Sequence, residues 1–268
     1  MDTVNKMSIP SVSSFVKQHQ LTIFFMLTLA LSAALAMIAV LIGDENITIV
    51  SVFTPSLTAI ALTALVDGKT GVRELLVKQT NQGIRFQWLV ISLITFPLIA
   101  LIAIGLHSLL GGPALALRTT QLLPQMIVIL LIALGEEYGW RGYALPRLQQ
   151  RYNALVASLI LGLIWGVWHF PGYLIGVGVP LEMPFYLFML WVLAATILIT
   201  WVYNNTRSVV AAILMHVAAN VTFNYLPLLP EFTGQMTTFW LFLGVVWLVS
   251  VVVVILFGPS TLMRKPSP

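Results

Sequence analysis

The chain has 268 residues, 59% of them hydrophobic and only 8% charged, with a mean hydropathy of +0.97. A soluble domain averages about 45–50% apolar and about 25% charged residues, so a water-soluble core is excluded and a polytopic membrane protein is expected. Cysteine is absent, which removes disulfides, thiolate metal ligands and a cysteine nucleophile. The net charge of +4 reports topology in such a protein and is no sign of a nucleic-acid partner.

Residues 1–20 are polar, carry Lys6, Lys17 and His19, and read as a tail. Residues 21–43 form an uncharged run, too long for a signal-peptide core of about 7–15 residues, and give the first span. Asp44-Glu45-Asn46 closes it, and 47–66 makes a second span, bent at Pro55. Over 67–87, Val72, Leu75, Leu76 and Ile84 alternate with Lys69, Arg73, Glu74, Lys78 and Arg85, the pattern of an interfacial amphipathic helix. The third span covers 88–110 and ends at Gly111-Gly112-Pro113. The fourth runs from 122 to about 145, where Pro146 stops it. The fifth, sixth, seventh and eighth follow at 153–170, 185–203, 208–225 and 238–258, with 259–268 as a second tail. Each is close to the roughly 20 residues that a bilayer requires. The expected architecture is all-α, with about eight transmembrane helices between residues 21 and 258. No internal repeat is visible.

Twelve of the 13 Lys and Arg residues fall on one side of this layout, and only Arg118 falls on the other. Basic residues collect on the cytoplasmic side, so both termini are expected in the cytoplasm of a multi-pass cell-membrane protein.

One stretch breaks the apolar pattern. Glu136, Glu137 and Arg141 place three charges in six residues at the end of a run that is apolar apart from Gln125. An ionisable group in hydrocarbon costs at least a few kcal/mol and normally faces a bundle interior. In a helix, Glu137 and Arg141 are i,i+4 neighbours and can pair, a structural role that needs no function. Glu136 points about 100° away and is free for another partner, for which His169 and His216 are both suitable. At 1.5 Å per residue, Glu136 lies roughly 15 Å from Pro146, His216 roughly 14 Å from Arg207, and His169 roughly 22 Å from Ala154. One carboxylate and two imidazoles therefore converge inside the bundle, in the cytoplasmic half or near mid-depth, and are expected to line one cavity open to the cytoplasm. Asn220 shares the face of His216 at i,i+4, and Trp165 stands in the same relation to His169. His107 has no such company and reads as an interhelical hydrogen-bonding residue. Tryptophans in such a chain are ordinarily lipid-facing or interfacial anchors. Glu136, His169, His216 and Asn220 differ because three helices carry them to one depth.

Three motifs occur in order on successive spans: Glu136-Glu137-Tyr138-Gly139-Trp140-Arg141, Trp165-Gly166-Val167-Trp168-His169, and His216-Val217-Ala218-Ala219-Asn220. Together they resemble the CAAX protease and bacteriocin-processing (CPBP) family of intramembrane proteases, over residues 122–225. The resemblance implies hydrolysis of a peptide bond in or near the membrane, with the peptide or protein substrate arriving from the membrane or the cytoplasmic side. It implies that Glu136 and His169 activate a water while His216 and Asn220 stabilise the oxyanion, supported by Glu137 and Arg141. The family has also been classed as metal-dependent, and His169, His216 and Glu136 or Glu137 would make a His₂Glu set for a divalent ion such as zinc, with a fourth position open for water. The H-E-x-x-H signature is missing, and a glutamate-activated water without obligatory metal is the preferred reading. In a bacterial source, a bacteriocin leader or another membrane peptide would be the expected substrate. Two other classes stay open: a transporter or ion pathway using the Glu/His cluster, and a non-catalytic immunity or scaffold protein. Matched broken helices of the transporter kind are absent.

Overall fold

A computed structural model describes residues 12–80, 83–112, 115, 122–179 and 183–263. The first helix, α1 (Val12–Ile42), begins within the polar N-terminal segment, where Lys17 and His19 remain exposed. Asp44 then caps a 3₁₀ segment, Glu45–Phe53, by accepting the Asn46 N–H. It leads directly into α2 (Thr54–Arg73). The bend expected at Pro55 appears as this change of helix type. Pro55 sits in the first turn of α2, where a missing N–H leaves no bond unmade. At Gly68, with φ 65°, the backbone leaves helical geometry, and Lys69–Arg73 and a π-type turn Glu74–Lys78 form a basic extension of α2. The amphipathic segment is thus joined to the second span.

The remaining long helices are α3 (Phe86–Leu109), α4 (Leu122–Glu137), α5 (Ala154–Trp168), α6 (Phe185–Thr206), α7 (Val209–Tyr225) and α8 (Thr237–Phe257). Helix α4 does not stop at Pro146. It widens into a π segment, Tyr138–Ala144, and tightens again over Leu145–Leu148. The Leu145 N–H bonds to the Trp140 carbonyl, five residues back. Pro146 again occupies a first turn, the position that tolerates proline. Among the described residues seven helical segments are long and apolar enough to cross a membrane, and α4 with its continuation brings the long helices to about eight. The chain is an all-α, multi-pass membrane protein.

Hydrogen bonds between connectors define two faces. On one, Val209 N–H bonds the Gln79 carbonyl, Ala154 and Leu155 bond the Ser260 and Pro259 carbonyls, and Gln149 bonds Asn204. Arg147, Arg151 and Arg207 lie at this basic face. On the opposite face His107 Nδ1 pairs with Thr238 Oγ1 at 2.8 Å and Nε2 meets Gln235, the interhelical role its sequence context suggested. Helices α6 and α7 are the most enclosed and form the centre. Helix α5 packs on α6, α3 on α7, and α4 between α7 and α2.

Two glycines set the position of α4. A Cβ on Gly139 would lie 2.4 Å from the Pro55 carbonyl carbon, and one on Gly135 would lie 2.6 Å from the Val52 oxygen. This small-xxx-small face lets two backbones approach, as is common between membrane helices. Ser56 Oγ donates across the same contact to the Leu134 carbonyl. With that side of α4 pressed against α2, Glu136 and Glu137 turn into the bundle.

Candidate active site

Both glutamates are buried, at 2% and 0% exposure, yet their surroundings differ. Glu137 Oε1 accepts from Arg141 at 2.7 Å and from His216 Nδ1 at 2.8 Å. The Arg141 guanidinium, itself fully buried, also lies 4.4 Å from the centroid of the Trp165 ring, the geometry of a cation–π contact. Glu136 Oε2 accepts from the Trp165 indole N–H at 2.7 Å, and Oε1 makes no hydrogen bond among the described residues. The partner expected for Glu136 was an imidazole. Instead His216 bonds Glu137, and the indole takes Glu136. Glu137 therefore does more than pin α4 through Arg141, because it also fixes the ring of His216.

His169 sits at the C-terminal end of α5, and its Nδ1 contacts the Trp165 carbonyl at 2.9 Å. A carbonyl only accepts, so Nδ1 carries the hydrogen and the Nε2 lone pair is left free. The ring is held edge-on by Trp168 at 4.7 Å and Phe188 at 5.0 Å. Trp168 is anchored in turn by N–H donation to Thr54 and by its carbonyl accepting from Ser32. Around the Trp165 ring stand His216 at 5.4 Å and His169 at 5.9 Å between centroids. One indole thus touches the acid, both imidazoles and the buried arginine.

Two connected cavities meet at this point. One, of about 290 Å³, is lined by Glu136, His169, His216 and Asn220 together. The other, of about 370 Å³, shares His169, His216 and Asn220 and has apolar walls that include Phe188, Trp191 and Phe223. The Asn220 carboxamide makes no hydrogen bond among the described residues and borders both. The expectation that the four side chains line one cavity is met. The expectation that it opens toward the basic face is not: its walls include Thr48, Ile49, Gly172, Gly178, Leu229 and Phe232, from the connectors of the opposite face. Beyond His169 the chain carries on as a further helical turn, Phe170–Leu174, and the cavity lies beside it, along Gly172 and Gly178.

Asn224 and Gln125 escaped the sequence reading. Gln125 donates to Asn224 at 2.6 Å, and Asn224 donates to the Asn220 carbonyl. Their signal was present: Asn224 lies one turn beyond Asn220, and Gln125 is the one polar residue in the first half of α4. The indole of Trp165 was read only as part of a motif, and its N–H turns out to hold the acid.

The possible zinc set, Glu136, His169 and His216, does not gather as three ligands: among the described residues no group of three His, Asp or Glu could hold a metal. Glu136 Oε2 is taken by an indole N–H and both Nδ1 atoms by protein acceptors. These bonds leave both Nε2 atoms and Glu136 Oε1 without a hydrogen bond among the described residues, and no step below is routed through a metal.

Fold and site together define a multi-pass helical membrane protein with a buried carboxylate, two oriented imidazoles and a free carboxamide at the floor of a cavity. Residues 118–222, the stretch that holds all of these, match the family model described as type II CAAX prenyl endopeptidase Rce1-like. The chain is also 36% identical over 112 residues to a protein named CAAX prenyl protease 2 from Methanococcus maripaludis. That alignment covers 38% of this chain and 41% of the relative, so the chain spans less than half the length of the protein it matches. The resemblance carried by the three motifs is shown for this segment.

Proposed function

We propose that the chain is an intramembrane endopeptidase that hydrolyses a peptide bond of a membrane-associated substrate with a water activated by Glu136. The observation that carries this reading is the shared cavity lined by Glu136, His169, His216 and Asn220. Glu136 has one oxygen held by Trp165 and the other left for a water, the arrangement a general base needs: orientation without saturation. His169, with Nδ1 donating to its own helix, offers Nε2 as an acceptor for the second hydrogen of that water.

The water oxygen attacks the carbonyl carbon as its proton passes to Glu136. The developing oxyanion receives hydrogen bonds from the Asn220 amide and from His216 Nε2. His216 can donate there in its doubly protonated form, in which its contact with Glu137 is an ion pair. Glu136 then returns the proton to the leaving nitrogen as the C–N bond breaks, giving a carboxylic acid and an amine. Oriented donors aimed at an oxyanion are each worth about 3–4 kcal/mol in well-studied hydrolases.

Prenylated CAAX-type peptides and leader peptides of membrane-active peptides are the two substrate classes to compare, given the name of the relative and the resemblance. The test uses purified protein in liposomes with internally quenched peptides of both kinds. Wild type should cleave one class, and Glu136→Gln should fold and not cleave. Cleavage that survives Glu136→Gln overturns the assignment.

A further inference from the structure

We propose that Asn224 is a substrate-binding residue: its carboxamide, oriented by Gln125, donates a hydrogen bond to the peptide carbonyl two residues from the one being cleaved. The proposal rests on the hydrolase reading above and adds to it a grip on the main chain of the substrate.

Three observations carry it. The first is position. His216, Asn220 and Asn224 recur at every fourth residue of α7 and so share one face of the helix. All three line both cavities, which makes this polar stripe the wall that the cavities have in common. Beside it the linings are largely apolar, with Trp191 and Phe223 in one cavity and Val128 and Ile132 in the other. The second is hydrogen-bonding capacity. A carboxamide offers two N–H hydrogens and an oxygen with two lone pairs. Asn224 Oδ1 accepts from Gln125 Nε2 at 2.6 Å, and Nδ2 donates to the Asn220 carbonyl at 2.8 Å. One bond comes from α4 and the other runs along α7, so the amide plane is held at both ends. The second Nδ2 hydrogen has no acceptor among the described residues. Gln125 lies in neither lining, so its part is to position Asn224.

The third observation is spacing. Four residues of α7 rise about 6 Å. An extended peptide advances about 6.6 Å over two residues and repeats its orientation with that period. With the scissile carbonyl oxygen on Asn220, as in the reaction above, the carbonyl two residues away faces the same stripe at the height of Asn224. The contact reads main chain and selects a substrate bound in extended form, while the apolar walls are left to its side chains.

An amide pair that merely joins α4 to α7 would be indifferent to the chemistry of the substrate, and this separates the two roles. Three internally quenched peptides share one sequence of the class that wild type cleaves in liposomes. One is all amide; in the others an alkene replaces the amide two residues before or two residues after the cleaved bond, which removes its carbonyl. In wild type one of these isosteres should raise KM about threefold to tenfold, the range of one neutral hydrogen bond. The loss should fall on KM rather than kcat, as when binding is lost equally from ground and transition states. Asn224→Ala, or Asn224→Leu should the alanine variant not fold, should raise KM for the all-amide peptide by a similar factor and abolish the penalty of that isostere. Gln125→Met, which keeps the length but not the donor, should give a smaller rise of the same kind. Isostere penalties that are equal in wild type and the Asn224 variant overturn the proposal, as does the absence of a penalty at either position in wild type. An Asn224 variant altered only in thermal midpoint or kcat overturns it as well. Wild type that cleaves no peptide sinks the hydrolase reading; fluorescently labelled all-amide peptide bound more tightly by wild type than by Asn224→Ala then still upholds the contact, and equal binding overturns it.

Discussion

Helix α4 runs through two regions of opposite character. Below Glu137, toward the basic connectors, Trp140, Tyr143 and Leu145 fill the space, Phe24 packs edge-on against Trp140, and the Arg147 guanidinium covers the Tyr143 ring. Above Glu136 the bundle is hollow, walled by His169, His216, Asn220 and a ring of aromatics. Two adjacent residues of one type therefore meet different demands. The carboxylate on the solid side is held through Oε1 by a cation and an imidazole, with Oε2 sealed away from the cavities; the one on the hollow side keeps an oxygen for the cavity it lines. An identical side chain becomes structural or chemical according to how many donors its neighbours supply.

If that division is correct, substitutions on its two sides should separate activity from stability. The largest expected effect is on activity. Glu136→Gln keeps the shape and the Trp165 hydrogen bond but removes the base, and should lower the turnover of peptide hydrolysis by about 10²–10⁴. Its thermal midpoint in detergent should match wild type. A variant that loses activity only because it unfolds would place Glu136 among the structural residues. On the solid side, Arg141→Ala removes the cation from the buried carboxylate of Glu137, and breaking a buried pair in this way costs about 3–5 kcal/mol. The midpoint should fall well below that of Glu136→Ala, and the double variant Glu137→Gln/Arg141→Met should regain part of the loss. Equal midpoints for Arg141→Ala and Glu136→Ala would break the comparison.

Asn220 tests the hollow side by a different route, because its carboxamide bonds nothing among the described residues. Asn220→Ala should lower kcat by about 10²–10³ with little change in KM or midpoint. A fall in stability equal to that of Arg141→Ala would assign Asn220 to packing.

Much of this arrangement was legible in the sequence. The spans could be read because a bilayer demands long uncharged helices, and Glu136, His169, His216 and Asn220 stood out because polar groups in such helices need a reason. The pairing within the cluster was not legible. Spacing along α4 gives the angle between Glu136 and Glu137, but which of them meets His216 depends on how α7 packs against α4, and helical periodicity does not carry that. The direction of the cavity was missed for a related reason. Depth counted along each helix could not show that the space between α4, α5 and α7 is filled on one side and empty on the other. The π segment was equally hidden, since Tyr138–Ala144 reads as ordinary helix until the Leu145 N–H is seen bonding five residues back.

The smallest effect expected concerns how α4 is held against α2. At Gly139 an added methyl meets the Pro55 backbone at 2.4 Å, and backbone cannot rotate aside as a long side chain can. Gly139→Ala should therefore push α2 and α4 apart at a cost of about 1–3 kcal/mol, the usual range for overpacking a filled interior. Gly105 in α3 provides the control, because a Cβ there meets nothing within 4 Å. Gly105→Ala should leave the thermal midpoint in detergent unchanged or raise it slightly through helix propensity. The shift of α4 also reaches the site, since Glu136 lies one turn from Gly139 on the same helix and its Trp165 partner sits on α5, which does not move with it. Gly139→Ala should thus lose some activity at temperatures where it is still folded, whereas Gly105→Ala should lose none. If the two variants behave alike in both measurements, the close approach at Pro55 is not what aims the glutamates inward.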